Sequence, residues 1–226
     1  MVRTIPGTTD ASDSIWDADA VVEERKVRVA DRPISFELWL EIGRAKEHSE
    51  LVDGVLVEKP MTSWEHETAE RWLDRVLGTY SERRKLGVVA CSRSPVRINE
   101  FRGRLPDLFF VRRERIEIVQ PLATFGAPDF VAEIVSQNDR PSHLFALEAD
   151  YRNLGVPEIW FIDLPRQRLR ILRKRGADYM EKIVTEGPVE IDAVPGFRFM
   201  AEWLLREPRP EVLDTLLELL GDTSNE

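Results

Sequence analysis

Residues 106–111 read PDLFFV and residues 130–139 read FVAEIVSQND. Both hold short runs of Phe, Val and Ile without polar alternation, the pattern of strands covered on both faces of a sheet. Each also carries one carboxylate: Asp107 opens the first run and Glu133 stands in the middle of the second. A buried carboxylate is costly unless it is paired, hydrogen-bonded or bound to a metal. If the two strands are neighbours, both carboxylates can point at one spot. Two hard oxygen donors meeting at a sheet edge, with water and phosphate completing the shell, describe a magnesium site. The plainer alternative has Asp107 capping a turn and Glu133 paired with an arginine such as Arg97 or Arg104. Spacing alone leaves both open.

On the N-terminal side, residues 1–31 are polar and aperiodic, and are expected to form a flexible arm ahead of one domain over 32–226. SFELWLEIGRAK, from Ser35, has the composition of a short helix. SELVDGVLVEKP places two apolar arms around Asp53-Gly54, a strong hairpin signal. Thr62-Ser63-Trp64-Glu65 reads as a capping box, and Ala69, Leu73, Val76, Leu77 and Tyr80 fall on one face of the long helix that follows, ending near Lys85. VVACSRSPVRI is expected to be one strand, ended or bulged near Pro95.

On the C-terminal side a second helix is expected between Ser142 and Leu154, closed by Gly155. EIWFID reads as a strand, and LRILRK with YMEKIV as an antiparallel pair at a sheet edge. PGFRFMAEWLL and PEVLDTLLELL are expected to be short terminal helices. The alternation of helices with a central block of strands gives an α/β domain, a mixed sheet flanked by helices.

Composition narrows the function. The chain has 226 residues, 32 Lys and Arg against 41 Asp and Glu, and a net charge of −9. That disfavours a general nucleic-acid coat, whose affinity comes from neutralising phosphates, but leaves room for a local basic groove. One cysteine, Cys91, and no apolar leader or membrane-length run point to a soluble protein of the reducing cytoplasm. A Ser or Cys hydrolase has little support: there are three histidines, no Gly-x-Ser-x-Gly elbow, and no histidine near Cys91 in sequence.

ELVDGVLVEKP, RLPDLFFV, FVAEIVS, YRNLGVPEIWFID and the late VPGFRF occur in an order that resembles the Uma-type restriction-endonuclease family of bacteria, over about Ser35 to Leu205. That family is expanded in cyanobacteria and belongs to the PD-(D/E)XK nuclease superfamily. The resemblance implies a restriction-endonuclease-like fold, a Mg²⁺ or Mn²⁺ cofactor and DNA as partner. It makes Asp107 and Glu133 the metal-binding carboxylates, with Glu50 at the early acidic position completing the shell, and His66 lining the site.

The superfamily also uses a lysine to position the attacking water and offset charge on the phosphate. The two positions where the resemblance places it hold Val135 and Leu147. Catalysis is therefore expected to be weakened, or rescued by another cation, with His143 the first candidate and Arg140 the second. Substrate contact is expected from RRERI, after Val111, and SERRK, at the end of the long helix. A possible homodimer follows only by analogy with nucleases that cut both strands. The competing class is a nuclease fold kept as a binding module after its chemistry was lost.

Overall fold

The computed structural model describes residues 26–27, 32–43, 49–59, 61–137 and 139–221. Nearly all of the expected N-terminal arm lies outside these residues. The elements in chain order are β1 (Lys26–Val27), α1 (Phe36–Gly43), β2 (Ser49–Val52), β3 (Val55–Glu58), α2 (Trp64–Arg84), β4 (Gly87–Cys91), β5 (Val96–Asn99), β6 (Arg102–Arg104), β7 (Leu108–Arg112), β8 (Phe130–Val135), α3 (Pro141–Leu154), β9 (Glu158–Asp163), β10 (Arg168–Arg175), β11 (Asp178–Val184), β12 (Pro188–Glu190), β13 (Arg198–Met200), α4 (Ala201–Leu205) and α5 (Val212–Gly221). A 3-10 segment, Arg113–Ile118, follows β7.

Six strands form a mixed sheet in the order β11-β10-β9-β8-β7-β4, with β8 and β9 parallel and joined through α3. Its strands alternate. Leu108, Phe110, Phe130 and Ala132 pack toward α2, in one cluster with Ala69, Leu73, Val76, Leu77 and Tyr80. Phe109, Val111 and Val131 pack on the other side with Leu147 and Tyr151 of α3. Burial on both faces is why β7 and β8 read as unbroken apolar runs.

A second sheet, β1-β3-β2-β6-β5, packs against α1 through Ile34, Phe36, Trp39, Leu51 and Leu56. Its hairpin turns at Asp53 and Gly54, both with positive φ (51° and 74°), as a two-residue turn requires. On β6, a Cβ at Gly103 would come within 2.4 Å of the Trp39 ring and 2.6 Å of the Phe36 ring. Only glycine lets this strand lie under α1. β12 and β13 form a separate small ribbon.

Two expectations are corrected. VVACSRSPVRI is two strands in different sheets: a turn closed by Ser94 N–H to Cys91 C=O (2.9 Å) ends β4, and β5 joins the other sheet. PGFRFMAEWLL is helical only over Ala201–Leu205. Its first half alternates, with Phe197 and Phe199 buried, so it pairs as β13 against β12.

Candidate active site

β7 and β8 are antiparallel neighbours with Leu108 opposite Ala132. One step back along that register sets Asp107 across from Glu133, on the same face of the sheet. Both are buried, each 4% exposed. Asp107 Oδ2 accepts from the backbone N–H of Ile134 (2.8 Å) and faces His66 Nε2 at 3.0 Å. Because Oδ2 is an acceptor, Nε2 is the protonated nitrogen in this contact. Glu133 Oε1 accepts from the hydroxyl of Tyr151, on α3. Among the described residues neither carboxylate meets an arginine, so the alternative pairing of Glu133 with Arg97 or Arg104 does not occur: Arg97 lies 3.3 Å from Glu37 and Arg104 pairs with Glu50 and Asp150.

The residue that sequence reasoning missed is Lys59. Its Nζ lies 3.1 Å from Asp107 Oδ1 and donates to the carbonyl of Leu105 at 2.8 Å. The hairpin delivers it. Glu50 on β2 stands opposite Val57 on β3, and two residues further on the same face comes Lys59. The signal was present in the sequence, because a two-residue turn at Asp53-Gly54 fixes that register. Glu70 was also missed. It sits one turn after His66 on α2, with Oε2 3.8 Å from His66 Nδ1, which is buried without a hydrogen-bond partner. His66, Glu70 and Asp107 each offer one ligand atom, all within 4.8 Å of one another.

The electrostatics follow from crowding of carboxylates. Burial pushes the Asp107 carboxyl upward, but the Lys59 charge, the His66 contact and the Ile134 N–H together hold it well below the usual range. Glu133 goes the other way: burial and the neighbouring Asp107 charge raise it well above. Burial disfavours charge on Lys59, yet Asp107, Glu133 and Glu50 outweigh it and keep the ammonium firmly protonated. His66 is raised, because contact with Asp107 and the charge of Glu70 exceed its own burial cost.

Glu50 is also buried, and its two oxygens accept from Arg104 Nη1 (2.6 Å) and the N–H of Leu105 (3.0 Å). Burial raises its carboxyl, but His143, Arg104 and Lys59 lower it to about 2. His143 Nε2 is 3.8 Å from Glu50 Oε2, an ion-pair distance beyond hydrogen-bond length. Arg140 is exposed at the N-cap of α3. Val135 and Leu147 are packed in the apolar cluster with Val96, Phe109 and Tyr151. The structure thus gathers Asp107, Glu133, Glu50, His66 and Lys59 at one place, with His143 at its rim.

The two basic segments are not part of it. RRERI follows the far end of β7, five residues or ~17 Å from Asp107. Arg83 and Arg84 end α2, ~25 Å along the helix from His66. Arg113 N–H donates to Leu86 C=O (2.8 Å), so both segments meet at the opposite end of the β7 strand. What faces the carboxylates is the N-terminal ends of α2 and α3, through His66 and His143.

A family model named Uma2, described as "Putative restriction endonuclease", matches residues 35–205. The chain belongs to the Uma2 family. No curated protein matches it. Among solved structures it is similar to one from Anabaena variabilis ATCC 29413, described as "a putative nuclease belonging to DUF820". The TM-score is 0.60 at 16% identity, over 83% of this chain and 99% of that one. The likeness is one of fold, and the mixed sheet flanked by helices is the restriction-endonuclease-like architecture that the sequence implied. In this Uma2 chain, among the described residues, no helix is long and apolar enough to cross a membrane.

Proposed function

We propose that this Uma2 protein is a metal-dependent DNA endonuclease of the cytoplasm, with Asp107 and Glu133 holding Mg²⁺ or Mn²⁺ at the scissile phosphate. The observation that carries the reading is the in-register pair Asp107–Glu133, buried on one face of a sheet with Glu50 beside it. The charges of all three carboxylates act on Lys59, and Arg104 is committed to Glu50 and Asp150. Burial, with the Asp107 charge added, pushes Glu133 upward, and a divalent cation bound to hard carboxylate oxygens would favour its charged form. Asp107 also shares a cluster of close ligand atoms with His66 and Glu70, a donor set that fits the metal the family implies. When bound, such an ion polarises a water and neutralises charge on the phosphate.

The chain's own residues set the stage for that chemistry. His66 and the Ile134 N–H fix Asp107 Oδ2, leaving Oδ1 to Lys59. Tyr151 orients Glu133 from α3. His143 stands at the entrance, 26% exposed.

One observation favours a second reading, a nuclease fold retained as a binding module: Lys59 already sits against Asp107, where a cation would go. A plasmid-nicking assay separates the two. The nuclease reading expects nicking with Mg²⁺ or Mn²⁺ that EDTA abolishes and that Asp107→Ala and Glu133→Ala each remove. An inert parent that still binds DNA would favour the module.

A further inference from the structure

We infer that Lys59 is the catalytic cation of this site, supplied by the β2–β3 hairpin instead of by β8 or α3. The inference rests on the nuclease reading above and assigns a role within it. Four observations support it. First, Lys59 Nζ is 3.1 Å from Asp107 Oδ1, whereas Val135 on β8 and Leu147 on α3, the positions where the resemblance expects the lysine, are apolar and packed.

Second, Asp107 can release it. Oδ2 is held by His66 and the Ile134 N–H, so only Oδ1 depends on Lys59, and withdrawal of the ammonium bares one oxygen without orphaning the carboxylate. Third, Lys59 is reachable. Its side chain is 19% exposed, against 2% for Arg104, whose guanidinium bridges two buried carboxylates. Fourth, the anchor is a backbone oxygen. The carbonyl of Leu105 takes one N–H at 2.8 Å, so the ammonium can pivot on its flexible stem and stay beside the site.

In the proposed step a water oxygen bonds to phosphorus as one P–O ester bond breaks. The water gives up a proton to solvent, and the departing oxygen takes one from solvent. Lys59 stays protonated throughout. Its N–H bonds, released from Asp107, are donated to the attacking water and to a non-bridging phosphate oxygen as negative charge builds there. A lysine that merely plugged a disused site would show the same resting contact, so the test must tell the two apart.

Three proteins serve: the parent, Lys59→Met, which keeps the stem and deletes the charge, and Lys59→Arg, which keeps a cation should the Met variant fail to fold. Each is assayed for plasmid nicking in Mn²⁺ and for Mn²⁺ affinity by calorimetry without DNA. Lys59→Met is expected to nick about 10²–10³-fold more slowly while binding Mn²⁺ more tightly, since no ammonium competes for Asp107 Oδ1. Lys59→Arg is expected to keep more of the rate than Lys59→Met. Opposite movement of rate and metal affinity is something a packing role would not give.

Nicking by Lys59→Met within about two-fold of the parent, with Glu133→Ala inactive, would overturn the assignment and leave the nuclease reading intact. Activity gained by Lys59→Met over an inert parent would make Lys59 a plug and overturn it as well. Failure of all three proteins to bind Mn²⁺ or to nick removes the nuclease reading itself, and the inference with it.

Discussion

At Glu50 the competition between burial and charge has a measurable sign. Its carboxyl falls from the ordinary 4.5 to about 2 because His143, Arg104 and Lys59 outweigh desolvation. A group lowered in the folded state adds stability above its unfolded pKa and loses it as pH falls through the folded value. The contribution is about 3 kcal/mol in full, of which about 2 kcal/mol should vanish between pH 5 and pH 3. Urea denaturation across that range should show a steeper loss for the parent than for Glu50→Gln, and parallel curves would contradict the pairing. Tyr151→Phe removes the hydroxyl that donates to Glu133 and should cost about 1–3 kcal/mol in the same assay. Asp107 and Glu133 were legible because a carboxylate inside an apolar run is conspicuous. Lys59 was not, because a lysine after an alternating strand looks like any solvated strand end. Only the hairpin register, which sets it on the face of Glu50, tells it apart.

Among the elements, β6 and α3 are tied together through charge. Arg104 on β6 bonds Glu50 on β2 and Asp150 on α3, while Arg102 adds Asp150 (2.6 Å) and Asp53 (2.7 Å). This cross-link joins the second sheet to α3 beside the site. Arg104→Met would take the shared guanidinium from two buried carboxylates and should cost about 3–5 kcal/mol, read as a fall in the urea midpoint with an unchanged slope. The N-terminus of α2 is held by Ser63, whose hydroxyl accepts from the His66 N–H at 3.2 Å. Ser63→Ala should cost about 1 kcal/mol and loosen the helix end that presents His66. Hairpin, long helix and edge pair were legible because turn residues, caps and period were mutually consistent. The split of VVACSRSPVRI between two sheets was not, since the partner of a short strand is a tertiary choice that local pattern does not encode.

For the whole molecule, a net charge of −9 says little about where DNA would lie, and the placement of charge says more. The two arginine-rich segments meet at the end of β7 away from the carboxylates. At ~25 Å they are beyond the Debye length of about 10 Å at 0.1 M salt. Replacing Arg83 and Arg84 by alanine should therefore leave nicking within about two-fold of the parent. Their prominence in the sequence misled because a charge cluster shows composition and not position. The most direct measurement of the central claim is Mn²⁺ binding by calorimetry to the parent, Asp107→Ala and Glu133→Ala. One binding event in the parent, lost in both variants while their folds remain intact, is the predicted result. Equal binding in all three, or none in the parent, would contradict a metal centre built on these two carboxylates.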